Sequence, residues 1–149
     1  MKDNWITKDG FLDPLKLPLA PILSQALHEE EEMFRTGCTV LSSIASRGGR
    51  EAGVFLLGLL AYYRARPDRL FRVVSALSSF PTPITIEALA GELYRVDSTN
   101  ATRSYLAEVL GALTRLPREL WEAKLTDMAQ DNHFSPRWRR KFDDALESW

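Results

Sequence analysis

The chain is poor in the residues that carry most catalysis and metal binding. Its 149 residues include one cysteine, Cys38, and two histidines, His28 and His133. A lone cysteine excludes an intramolecular disulfide, which suits a reducing compartment, and a cytoplasmic location is expected. Cys38 lies beside an apolar piece and reads as a buried structural thiol. His28 stands at helical spacing from Glu31 and Glu32, which could place a nitrogen and a carboxylate on one metal. A structural site needs about four ligands and no second cluster accompanies it, so neither a metal nor a cofactor is expected. No G-x-S-x-G elbow, Walker loop or H-E-x-x-H pair occurs. The expectation is a non-enzymatic protein.

A long apolar run is also missing. The most apolar stretch, AGVFLLGLLAYY from Ala52 to Tyr63, falls well short of the roughly 20 residues that a spanning helix needs. It reads as a buried helix, apolar around its whole circumference. The opening MKDNWITKDGF carries both signs of charge and lacks the charged-then-apolar order of a signal peptide. An excess of one charge is absent too. The net charge of −1 argues against strong non-specific binding to nucleic acid.

No segment alternates apolar and polar residues over a strand's length, so the chain reads as all-α, with seven to eight helices and short connections. Residues 1–17 form an irregular arm in this reading, with Trp5 and Phe11 as its anchors, and residues 18–149 form a single helical domain. Leu23, Ala26, Leu27, Met33 and Phe34 suggest one helical run that Thr36-Gly37 breaks. A short apolar piece, Val40 to Ala45, follows, and Arg47-Gly48-Gly49 is the next break. Pro67 opens a helix bearing Leu70, Val73, Val74 and Leu77. Thr82-Pro83 and Ser135-Pro136 each combine an N-cap with a first-turn proline. The last helix places Trp138, Phe142, Leu146 and Trp149 on one side.

The chain also echoes itself. Aligning Arg50 with Arg103 sets Leu57-Gly58 on Leu110-Gly111. Pro67-x-x-Leu70-Phe71 then follows on Pro117-x-x-Leu120-Trp121, and Phe80 with Thr82-Pro83 on Phe134 with Ser135-Pro136.

Residues Thr82 to Pro117 resemble a HEAT repeat, a helical hairpin with a proline near its first helix. The motif also has an aspartate in the turn, an arginine six residues later, and a Leu-Gly pair further on. Those positions are Pro83, Asp97, Arg103 and Leu110-Gly111. Around Arg50 the match covers the second helix, with Ile44 where the aspartate would stand. The resemblance implies a short HEAT-like or armadillo-like stack, the alternative being a compact irregular helical bundle. It assigns repeat-structural roles to Asp97, Arg103, Leu57, Gly58, Leu110 and Gly111. Leu57 and Leu110 would face seams between repeats, and the two glycines would mark close helix approach.

Charge is unevenly spread. Residues 33–80 hold seven arginines against two acids, whereas residues 1–32 and 81–149 are net acidic. The basic block contains Tyr62, Tyr63, Arg64, Arg66, Arg69 and Arg72, residue types that often dominate interfaces. A second basic knot, Arg137 to Lys141, is followed by Asp143, Asp144 and Glu147. The expected function is protein interaction through a helical-repeat surface around Tyr62 to Arg72, with no membrane partner. The alternative is nucleic-acid binding through the arginine-rich patches.

Overall fold

The computed structural model describes residues 18–148. The expected arm, with Trp5 and Phe11, and the terminal Trp149 lie outside the described residues. Eight helices and no strand occur among the described residues: α1 (Leu19–Ala26), α2 (Glu31–Ser46), α3 (Arg50–Tyr62), α4 (Pro67–Leu77), α5 (Pro83–Arg95), α6 (Arg103–Arg115), α7 (Arg118–Met128) and α8 (Pro136–Glu147). None is long and apolar enough to cross a membrane. The chain divides into two compact units between Phe80 and Pro81.

Local chemistry accounts for several boundaries. Thr82 Oγ1 accepts from the Thr85 amide at 3.3 Å, and Ser135 Oγ accepts from the Trp138 amide at 3.3 Å. Each cap is followed by a proline, whose missing N–H would have been unpaired in the first turn anyway. Gly48 closes α2 at φ +93°, a left-handed value that glycine adopts without steric cost.

The first boundary differs from the sequence expectation. The chain breaks at Leu27–Glu30, and α2 runs unbroken through Thr36-Gly37. Gly37 is a packing residue: a Cβ there would stand 2.4 Å from the Ala26 amide nitrogen. The missing side chain lets α1 lie against α2, and it does so at mid-helix.

In the first unit α2 packs against α1, α3 and α4, and α3 packs against α4. Phe34, Leu41, Leu56, Val73, Val74 and Leu77 are fully buried there. Gly53 admits the Phe80 ring, which would sit 2.3 Å from an added Cβ. In the second unit α5 packs against α6 and α7, and α7 packs against α6 and α8. Leu89, Val109, Leu113, Leu125, Met128 and Phe142 are among the fully buried residues there. Each such side chain contributes roughly 1.5–3 kcal/mol by leaving water.

The two 13-residue helices α3 and α6 bury the same positions when Arg50 is set on Arg103. Ala52, Leu56, Leu59, Leu60 and Tyr63 in one correspond to Tyr105, Val109, Ala112, Leu113 and Leu116 in the other, and all ten are buried. Leu57 and Leu110 are only half-buried. Between α4 and α7 the equivalence shifts by one residue. Pro67 is the first residue of α4, whereas Pro117 is the N-cap of α7. Leu70, Val74 and Leu77 therefore correspond to Trp121, Leu125 and Met128, and Phe71 is left exposed.

Candidate interaction surface

The corner between α3 and α4 holds all six residues expected to bind a partner, and the structure sorts them into two groups. Tyr63 and Arg69 are 4% and 2% exposed and point inwards. Tyr63 caps the C-terminus of α3, while Arg69 shares the buried face of α4 with Leu70, Val73 and Val74. Their assignment to a binding surface is therefore corrected: helical geometry turns them into the unit.

There they complete the end of α1. A helix leaves its last four carbonyls without intrahelical partners. Tyr63 Oη donates to the Ala26 carbonyl at 2.6 Å. Arg69 Nη1 donates to the His28 carbonyl at 2.7 Å and to Tyr63 Oη at 2.9 Å, and Nη2 donates to the Glu29 carbonyl at 2.6 Å. Its guanidinium lies 4.5 Å from the Phe34 ring centroid. Arg69 Nε makes no hydrogen bond among the described residues and lies 3.6 Å from Glu31 Oε2. The positive charge at a helix C-terminus also complements the macrodipole. Burial raises the Tyr63 phenol above its ordinary value, against the opposing effect of Arg69.

Tyr62, Arg64, Arg66 and Arg72 are exposed. Tyr62 is 66% exposed and rests edge-on against Tyr63, with centroids 4.9 Å apart. Arg66 is committed to a fork on Asp68, with bonds of 3.1 and 2.9 Å. That pairing raises the Arg66 guanidinium and lowers the Asp68 carboxyl. Arg64 and Arg72 make no side-chain hydrogen bond or ion pair among the described residues, and neither do Arg47 and Arg50. Arg35, by contrast, pairs with Glu31.

The apolar stretch around these residues is not buried all round. Val54, Gly58, Ala61 and Tyr62 are exposed, and their spacing puts them along one side of α3. Val54 is 49% exposed. Arg50 stands one turn before Val54, and Arg64 follows Tyr62.

The residues given repeat-structural roles are placed as follows. Gly58 is exposed, and a Cβ there would meet nothing within 4 Å. At Gly111 a Cβ would meet only Arg115 Nη1, at 3.2 Å. Close helix approach belongs to Gly37 and Gly53 instead. Asp97 and Arg103 are exposed and form no ion pair with each other. Thr102 Oγ1 donates to the Asp97 carbonyl at 2.6 Å, and Arg103 Nη2 donates to Asn100 Oδ1 at 3.1 Å. The turn is thus held by threonine and asparagine. Asp97 also lines a cleft of about 210 Å³ with His133, Ser135 and Trp138.

Other polar groups take structural parts. His28 Nδ1 accepts from the Glu30 amide at 3.0 Å. Among the described residues no group of three or more His, Cys, Asp or Glu side chains could hold a metal ion. Burial pushes the Cys38 thiol up to about 12, a poor setting for a nucleophile. In the basic knot, Lys141 Nζ lies 4.5 Å over the Trp138 ring and Arg139 reaches Asn132.

Sequence reasoning missed two polar nodes of the second unit. Buried Glu92 accepts from Tyr105 Oη at 2.6 Å and from Arg95 at 2.7 and 2.8 Å. Tyr94 Oη donates to Asp131 Oδ2 at 2.7 Å, and His133 Nε2 lies 3.1 Å from the Tyr94 carbonyl. The i, i+3 spacing of Glu92 and Arg95 was the available signal for the first. The second joins residues 37 apart and had none.

No family model, no curated protein and no solved structure matches this chain.

Proposed function

We propose that the chain is a non-enzymatic protein-binding module of the HEAT-like helical-repeat kind, with its contact centred on the outer side of α3. It would act in a reducing compartment such as the cytoplasm. The observation that carries this reading is the exposed row Val54, Gly58, Ala61 and Tyr62, which contains no charge. A helix on the surface of a soluble protein ordinarily gives its outer side to charged and polar residues. An exposed apolar strip with a tyrosine at its end is the kind of surface that gains free energy by being covered. Arg50 and the exposed Glu51 stand at one end of the row and Arg64 at the other, none of them in an ion pair among the described residues. The fitting partner is a protein surface with an apolar centre and an acidic rim, since opposite charges speed docking and exclude basic competitors. The HEAT-like assignment rests on the residue pattern from Thr82 to Pro117 and on the matched burial of α3 and α6.

The test is affinity capture from the native lysate, with and without nuclease, using the wild-type chain and the Val54→Asp and Tyr62→Asp variants. The expected result is a nuclease-resistant partner that both variants lose while their helical circular dichroism is unchanged. Capture that disappears with nuclease would shift the assignment to nucleic-acid binding. Capture that both variants retain would remove α3 from the contact.

A further inference from the structure

We infer that the first unit carries a phosphate-binding cleft between α2 and α4, in which Arg72 acts together with Thr39, Ser42 and Ser75. The inference uses none of the α3 residues of the proposed contact surface.

The cleft has a volume of about 190 Å³ and is lined by Cys38, Thr39 and Ser42 from α2 and by Arg72, Ser75 and Ala76 from α4. Thr39 and Ser42 are three residues apart, as are Arg72 and Ser75, so each helix turns one hydroxyl-bearing strip to the same opening. The lining carries one guanidinium and three hydroxyls, and no carboxylate; Ser42 and Ser75 already have partners, and Thr39 has none among the described residues. A planar cationic fork with a neutral hydroxyl donor beside it matches the oxygens of a phosphate monoester. Pockets for drug-sized ligands run to about 300–1,000 Å³, so this smaller cleft suits a head group and not a whole cofactor.

Two of these groups stand out against their neighbours. Three other arginines of the unit are engaged, Arg35 by Glu31, Arg66 by Asp68 and Arg69 by carbonyls of the α1–α2 connection, whereas Arg47, Arg50 and Arg64 are unpaired among the described residues but do not line the cleft. Arg72 is exposed at the cleft and makes no hydrogen bond or ion pair among the described residues. Thr36, one turn before Thr39, returns its hydroxyl to the Glu32 carbonyl at 2.9 Å, the usual habit of a helical threonine. The Thr39 hydroxyl makes no hydrogen bond among the described residues. Ser42 is held in place by Ser79, with their hydroxyl oxygens 2.7 Å apart. Beside the cleft, Arg72 and then Arg69 oppose the rise that burial imposes on the Cys38 thiol, and Glu31 adds to it.

The experiment titrates the purified full chain with inorganic phosphate, with a phosphoserine peptide and with the unphosphorylated form of that peptide, followed by amide and guanidinium NMR shifts. Saturable shifts are expected at Thr39, Ser42, Arg72 and Ser75 with the two phosphate ligands and not with the plain peptide. Arg72→Gln should weaken binding about tenfold or more, Thr39→Val should weaken it less, and the remote Arg140→Gln should bind as the wild type does. A phosphopeptide that binds more tightly than inorganic phosphate identifies a phosphorylated protein as the source; equal affinities identify a small phosphate. Absence of saturable shifts at these residues with either phosphate ligand, or wild-type affinity in Arg72→Gln, overturns the inference. No partner protein enters the titration, so its failure leaves the α3 contact standing, and failure of the capture experiment leaves the cleft standing.

Discussion

Arg69 Nη1 donates to Tyr63 Oη at 2.9 Å across the α3–α4 corner, and the same two side chains close the end of α1 through the Ala26, His28 and Glu29 carbonyls. One short helix thus depends on two residues about forty positions further along the chain. The arrangement explains how a guanidinium is tolerated at 2% exposure: it is surrounded by carbonyl acceptors and by the Phe34 and Tyr63 rings.

Removing the guanidinium would strand those carbonyls. Arg69→Met should lower the unfolding free energy by about 3–5 kcal/mol, measured by urea denaturation. Arg69→Lys should recover only part of this, because an ammonium cannot reproduce the fork that spans separate acceptors. The exposed Arg64→Met should stay within about 0.5 kcal/mol of the wild type. If Arg69→Met and Arg64→Met melted alike, water would be replacing the node and the structural role assigned to it would be lost.

The glycines give a test with opposite signs. Gly37→Ala places a methyl 2.4 Å from the Ala26 backbone, which cannot swing aside, and should cost about 1–3 kcal/mol or more. Gly58→Ala places a methyl in open space within α3 and should stabilise by up to about 1 kcal/mol, through the better helix propensity of alanine. Thermal melts of the two variants should therefore move apart. Melts that moved the same way would mean that α1 does not rest on Gly37.

Legibility in the sequence followed the range of the physics. Caps and prolines act within one turn, so the starts of α5 and α8 could be read from Thr82-Pro83 and Ser135-Pro136. Helical periodicity identified the buried stripe of α4. A glycine's role depends on what lies opposite, which local sequence does not contain. Gly37 therefore read as a breaker although it is a contact, and Gly58 read as a contact although it faces solvent. Residue type alone likewise grouped Tyr63 and Arg69 with Tyr62 and Arg66. The long-range acceptors from α1 and its following loop separate them, and no local pattern encodes that pairing. The two-residue offset from Leu57 to Leu59 is enough to carry a leucine from the half-buried side of α3 into its core.

The Tyr94–Asp131 pair makes stability depend on pH at both ends of the scale. The Asp131 carboxyl accepts from the His133 amide at 2.9 Å and from Tyr94 Oη at 2.7 Å, and both bonds hold it below its ordinary value. A depressed carboxyl stabilises the fold fully above its unfolded value of about 4, and the contribution fades as pH falls through the lower folded value. The Tyr94 phenol is shifted the other way, up to about 12, by burial first and then by its hydrogen bond to Asp131 and the charges of Asp131 and Asp127. Its contribution is complete below the unfolded value of about 10 and is lost as pH climbs towards the folded one. Urea melts across the pH range should therefore show Asp131→Asn flattening the acid limb and Tyr94→Phe flattening the alkaline limb. Each variant should also shallow the limb governed by its partner, because one hydrogen bond joins the two groups. If both variants ran parallel to the wild type on both limbs, the 2.7 Å bond would not contribute to folding in solution.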